Sequence, residues 1–332
     1  MKKRFMVALA VLAALSSGFG TLSCSRGYSG PAESLTVGSV LLEPSALLFV
    51  AEAQDFFSQN GLDVSIQYYE TGLSAVNAML DARVDVAVPA TEFVLAGKAF
   101  NDVNVKTIAS IDKVDYAVIV GRKDRGIASP SDLAGKKVGV ARGTILEFRL
   151  GRFLELHGMK TTDVEIVNLA LGKSADAIAA GDIDALIAVP PYTEASKVKL
   201  GDNGVVWPAQ GGQFSYQLLM GRTEWIGQNP KAIHRFLLAL NQAEEYTDRR
   251  QREAKAIVQQ KLNVSDDDVA RIWSQNQFTL SLDQALVVAM EDQARWMIDN
   301  GLTTEKVVPD FLEYIYFDGL KAVKPEAVNI IR

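Results

Sequence analysis

The same succession of residues runs through the chain twice, 100 positions apart, and this repeat limits the fold more than any other feature. Asp63, Val64, Ile66, Gly72, Ser74 and Ala75 match Asp163, Val164, Ile166, Gly172, Ser174 and Ala175. A slip of one residue then pairs Asp85 with Asp184, and upstream Val37-Gly38 corresponds to Val138-Gly139. Self-similarity of this kind marks a duplicated supersecondary unit.

Each copy has the same local logic. A short valine-rich run (35–40, or 137–141) is too brief for a helix and reads as a strand. Apolar residues at helical spacing follow: Leu48, Phe49, Ala53 and Phe56 in one copy, Leu146, Leu150, Phe153 and Leu154 in the other. Gly61 and Gly158 are the expected helix stops, because glycine accepts the left-handed conformation at a helix end. A second strand (64–68, 164–169), a helix opening near Ser74 or Ser174, and a third strand (84–88, 183–189) complete the unit. Strands alternating with such helices predict mainly parallel sheets covered on both faces, and two copies predict two lobes.

The last third is helical. Segments 230–249, 252–260, 266–275 and 282–299 carry apolar residues at helical spacing, and Asn229-Pro230 reads as a cap followed by a first-turn proline. Ser265 with Asp268, and Ser281 with Gln284, resemble capping boxes. Both an independent tail domain and a tail packed on the first lobe fit this pattern.

At the N-terminus, Lys2, Lys3 and Arg4 precede the apolar run 5–15, and small residues lead to the only cysteine, Cys24. As a helix that run spans about 16 Å, short of a hydrocarbon core of about 30 Å, so 1–23 is expected to be a secretory signal. Cys24, after Thr21-Leu22-Ser23, resembles a lipoprotein attachment site, with 24–33 as a lipid-anchored tether; Thr21 departs from the usual leucine. Cleavage elsewhere, with Cys24 a chance thiol, is the alternative. Net charge is −6 at pH 7, and without the three basic leader residues it is near −9. That balance argues against nucleic-acid binding.

Catalytic signatures are missing from the sequence. No HExxH, GxSxG, paired CxxC or dinucleotide glycine pattern occurs. His157 precedes a helix-ending glycine and His234 lies beside an apolar stripe; neither is placed like a catalytic base. No catalytic residue, metal site or cofactor is therefore expected. The rival functions that stay open are a ligand-sensing module for a receptor or kinase, and an enzyme using cleft carboxylates.

The chain resembles the nitrate/sulfonate/taurine-type substrate-binding proteins of bacterial ABC importers, whose wider family includes thiamine-precursor binders. The marks are Gly61-Leu62-Asp63-Val64, the segment 81–85, Asp132-Leu133-Ala134-Gly135-Lys136-Lys137-Val138-Gly139-Val140, Gly181-Asp182-Ile183-Asp184-Ala185 and Asn229-Pro230-Lys231-Ala232. The resemblance implies an α/β, two-lobed periplasmic-binding-protein-like fold of type II, with two parallel-rich sheets and a helical C-terminal segment. Lobe I would comprise 34–116 plus 215–332 and lobe II 117–214, joined by crossovers near 115–120 and 215–220. It further implies a monomer that is exported, periplasmic or at the cell surface, held to a membrane through Cys24. Such a protein closes on a small solute and delivers it to an ABC permease and its ATPase.

Open sheets bind ligands outside the carboxyl ends of their strands. The loop ends there supply the candidate ligand-binding residues. Lobe I offers Glu43, Thr71, Gly72, Ser74, Thr91 and Glu92, and the hinge Asp115, Tyr116 and Tyr216. Lobe II offers Arg142, Gly143, Thr144, Ser174, Tyr192 and Thr193. Helix-start amides and hydroxyls suit an oxyanion, with Arg142 as a charged fork. Caps for their own helices are the alternative role of these Ser and Thr side chains. Glu43, Glu70, Glu92, Asp115 and Glu194 oppose a simple anion such as nitrate unless they are paired or point away. The expectation is a small polar organic solute: a sulfonate, a taurine-like zwitterion or a thiamine-precursor-like heterocycle.

Overall fold

The computed structural model describes residues 28–101, 104–209 and 212–331. The signal read at 1–23 and the attachment point Cys24 lie outside the described residues, as does the tether up to residue 27. The strands are β1 (Glu33–Val40), β2 (Leu62–Tyr69), β3 (Val86–Thr91), β4 (Val105–Val114), β5 (Val118–Arg122), β6 (Lys137–Val140), β7 (Glu165–Asn168), β8 (Ala185–Ala188), β9 (Gly204–Pro208), β10 (Ser215–Arg222) and β11 (Asn276–Gln277). They form a six-stranded sheet in the order β11-β4-β10-β3-β1-β2 and a five-stranded sheet in the order β7-β6-β8-β5-β9. Each sheet is the centre of one lobe of this α/β fold.

The repeat becomes visible as matching parallel cores. β1 lies between β2 and β3 in parallel, with Val37 opposite Val86. β6 lies between β7 and β8 in the same way, with Val138 opposite Ala185. The matched aspartates do the same job in both copies. Asp85 Oδ2 accepts from the Thr36 amide (2.8 Å) and Thr36 hydroxyl (2.6 Å). Asp184 Oδ2 accepts from the Lys137 amide at 3.0 Å. In each lobe the carboxylate before the third strand ties it to the first. The sheets are mixed rather than wholly parallel, because β10, β4 and β11 on one side and β5 and β9 on the other join antiparallel.

Several local expectations need correction. Gly61 and Gly158 do end their helices with φ of 76° and 73°. The helix expected through Phe56 is broken at Asp55, whose φ of 56° separates Ala46–Ala53 from Phe56–Gln59. Aspartate tolerates that left-handed turn better than most residues. Asn229 places Pro230 in the first helical turn, but its side chain donates to Trp225 O (2.9 Å) instead of capping. The last long helix is Gln284–Asp299, capped by Asp283, which accepts from the Leu286 amide at 3.1 Å, and not by Ser281. The Ser265–Asp268 capping box is formed.

The helical tail shares the core of lobe I. Phe236 stacks on Phe57 at 5.3 Å, and Ile233, Leu240, Leu286 and Met290 belong to the buried cluster that includes β1 and β3. The chain passes from β4 in one sheet to β5 in the other across residues 115–117, and returns between Pro208 and Ser215. β10 therefore lies wholly in the first sheet, and the return occurs ahead of the 215–220 segment expected to carry it. Asp115 Oδ2 accepting from the Gly212 amide (2.9 Å) ties the crossovers side by side.

Candidate functional site

Between the lobes lies a cavity of about 750 Å³, open mouth included, walled by the loop ends of both sheets. Lobe I contributes Thr71, Gly72 and Thr91, the outgoing crossover Tyr116, and lobe II Thr144. Gly72 is required by space: a Cβ there would stand 2.8 Å from Pro89 O. Most of the wall is apolar, with Leu42, Leu73, Ile145, Leu146, Leu171 and Val189 facing in.

The hydroxyls at the loop ends differ in availability. Thr71 Oγ1 caps its own helix by accepting from the Ser74 amide (3.1 Å), and it pairs with Ser74 Oγ (2.9 Å), which engages both hydroxyls. Thr144 Oγ1 donates to Ala141 O (2.7 Å) and accepts from the Leu146 amide (3.3 Å). Thr91 Oγ1 is buried on the cavity wall with no hydrogen-bond partner among the described residues.

Other sequence candidates stand away from the cavity, each for a visible reason. Glu43 turns inward toward Arg271 (3.6 Å), and burial raises its pKa. Glu92 is fully buried, accepting from the Tyr216 amide (3.0 Å) and Gln293 Nε2 (2.8 Å). Burial pushes its pKa up to about 7 against the pull of those bonds and of Arg149. Asp115 is held by Gly212. Arg142 donates through Nε to Glu147 Oε1 (2.8 Å), and the Gly143 amide donates to Glu147 Oε2 (2.8 Å). The anion cradle expected at Arg142-Gly143 is thus filled by the chain's own carboxylate. Ser174 and Thr193 are buried, Tyr192 starts the helix Tyr192–Leu200 outside the lining, and Tyr216 donates its hydroxyl to Asp283 Oδ1 (2.8 Å).

Arg149 is the cavity-lining cation that the loop pattern does not reveal. It lies within the helix Ile145–Leu156, lines the cavity, and is 3% exposed. Its Nη2 donates to Gln213 O and to Ser215 Oγ, the latter at 2.9 Å. Nη1 closes no hydrogen bond among the described residues and has only Asp115 Oδ1 at 4.0 Å. Ser215 and Gln217, alternate residues of β10, line the same side. A sequence signal for Arg149 exists: it falls three residues after Leu146 and four before Phe153, on the buried stripe of its helix, where a cation is rare unless paired.

The mouth is bridged. Glu70 Oε1 of lobe I accepts from the Gly172 amide of lobe II at 3.1 Å. Deeper in, Phe148 of lobe II meets Trp296 edge-on at 5.4 Å and joins the core of lobe I. Among the described residues no three His, Cys, Asp or Glu side chains gather as a metal site, and no helix is long and apolar enough to cross a membrane.

Two α/β lobes, joined by paired crossovers and sharing a cavity at their strand ends, define the class of periplasmic-binding-protein folds. The structure matches the alkanesulfonate-binding protein SsuA of Xanthomonas axonopodis pv. citri bound to MOPS, with a TM-score of 0.75, 15% identity, and coverage of 87% of this chain and 100% of that one. The desulfurization enzyme DSZB shares the fold at a TM-score of 0.62 and 16% identity, over 89% and 99% of the two chains. In sequence, residues 44–254 match the NMT1/THI5-like family, and the chain belongs to it. Binding proteins of Brucella abortus are 25% identical over 211 residues, 61% of this chain, and the match spans 63% of their length. An aliphatic sulfonates-binding protein of Bacillus subtilis is 26% identical over 73% of each chain.

Proposed function

We propose that the protein is the extracytoplasmic solute-binding component of an ABC importer. It holds a small organic solute in the interlobe cavity and delivers it to a permease and its ATPase. In this reading, 34–116 with 215–332 and 117–214 move as lobes about the crossovers. The chain is exported by its leader, anchored through Cys24, and acts as a monomer without a cofactor.

The observation that carries the reading is Arg149, a buried cation with an unbonded N–H in a largely apolar cavity lined by both lobes. Leaving a buried donor unbonded costs about 1–3 kcal/mol, and more when it is charged. An oxyanion supplied by a ligand offsets that cost, while the leucine and isoleucine walls cover an apolar body. A sulfonate on a short alkyl chain has both parts; nitrate has only one. The names of the sulfonate-binding relatives point the same way.

Isothermal titration with 1-butanesulfonate, taurine and nitrate tests this. We expect 1-butanesulfonate to bind most tightly, and Arg149→Gln to weaken it about 10- to 100-fold, about 1.4–2.8 kcal/mol. Preferential binding of nitrate, or unchanged affinity in Arg149→Gln, would overturn the reading.

A further inference from the structure

Behind the cavity wall lies a second buried ionisable group that takes no part in the contacts described for a ligand. Glu92 follows Thr91, whose unpartnered hydroxyl lines the cavity, and opens the helix Glu92–Ala99. Its carboxylate is fully enclosed, held by an amide of β10 and by Gln293 of the helix Gln284–Asp299. Arg149 of lobe II, the cation assigned above to the ligand, acts on its charge from beyond ion-pair distance. The charges around this pair are few. Asp115 stands 4.0 Å from Arg149 Nη1. Tyr216 turns its hydroxyl away to Asp283, itself paired with Lys113 at 2.5 Å. The field of one arginine therefore already acts on two carboxylates before any anion arrives.

We propose that Glu92 is the charge-setting residue of this cavity: when an anionic head group engages Arg149, the Glu92 carboxylate takes up one proton from solvent. The proposal rests on the reading of Arg149 as the ligand's cation. Adding a third negative charge around one guanidinium in a poorly solvated space is unfavourable, and neutralising Glu92 removes the conflict. The direction follows from electrostatics. Arg149 now helps hold Glu92 ionised; an anion bound to Arg149 cancels part of that field, so the Glu92 pKa rises further from about 7. Protonated Glu92 can still accept from Tyr216 and Gln293 through its lone pairs, so the local structure survives the change. The cavity thus favours monoanionic head groups, whose single charge one proton balances, over dianions such as phosphate monoesters.

Linkage makes this measurable. A sulfonate stays ionised throughout the neutral range, so any proton taken up belongs to the protein. Calorimetry with 1-butanesulfonate, in Bis-Tris and in Tris, neither of which brings an oxyanion, reads proton uptake from the difference in binding enthalpy. We expect an uptake that grows towards one proton as pH rises through the neutral range, with an affinity that falls by up to about tenfold per pH unit there. Glu92→Gln should bind with no uptake and an affinity independent of pH. His157→Asn/His234→Asn, which removes both histidines, should retain the uptake; Gln293→Leu, which removes a bond that holds Glu92 ionised, should move the uptake to higher pH, and an unmoved pH range in that variant overturns the assignment should Glu92→Gln fail to fold. Binding with equal enthalpies in the two buffers overturns the proposal and leaves the ligand reading intact. Uptake persisting in folded Glu92→Gln, or lost with the histidines, also overturns it. An absence of binding at every pH removes both.

Discussion

Arg142 and Arg149 are separated by two turns of chain and have opposite fates. Arg142 sits in a glycine-containing loop at a strand end, where an anion-binding arginine is ordinarily sought. Yet Glu147 occupies its guanidinium and the neighbouring amide, and the Arg142 side chain is 52% exposed. Arg149 sits in a helix where the sequence offers no loop signal, and folding presses it into the cavity. We therefore expect Arg142→Ala to change the affinity for 1-butanesulfonate less than twofold by titration; a tenfold loss would return Arg142 to the site. The excess of acidic residues near the loops resolves at this scale too. Glu43 faces Arg271, Asp115 faces Gly212, Glu194 pairs with Lys197 at 2.9 Å, and of the five only Glu70 lines the cavity. Residue types placed the loops correctly along the chain. Which side chains are spent on each other depends on neighbours far apart in sequence, which no local pattern encodes.

Strands, helix stops and repeat register were legible because period, glycine and valine content act locally. The Asp85–Asp184 match shows how far a sequence repeat can carry a physical role. Asp85 clamps both the amide and hydroxyl of Thr36, whereas Asp184 clamps one amide and keeps Arg125 at 3.8 Å. Removing Asp85 leaves two donors of Thr36 without that acceptor. Asp85→Ala should lower the unfolding free energy by about 1–3 kcal/mol in urea titrations. An unchanged midpoint and slope would deny the clamp. Where local reading failed, tertiary contacts had outbid it. Asp283 rather than Ser281 caps the last long helix, and Asp283 also meets Lys113 and Tyr216 from β4 and β10. Asp55 interrupts a helix whose apolar spacing alone continues to Phe56.

At the level of the molecule, the duplicated core foretold two sheets, but not how the lobes touch. Phe148 belongs to lobe II by chain order and to lobe I by packing, between Phe93 at 6.1 Å and Trp296 at 5.4 Å. Gly151, one turn on, leaves room for the Trp296 ring, which an added Cβ would strike at 2.1 Å. Together with the Glu70–Gly172 bond across the mouth, these contacts describe lobes drawn together over the cavity. The return of the tail to lobe I came from the family resemblance, since helical spacing states what a face is made of and not what covers it. In the proposed function the joined lobes grip an organic oxyanion at Arg149. A crystal structure with 1-butanesulfonate decides whether it does. We expect a sulfonate oxygen about 3 Å from Arg149 Nη1 and the butyl chain against Leu73 and Ile145. A ligand seated outside the cavity, or inside it with Arg149 Nη1 still unbonded, would contradict it.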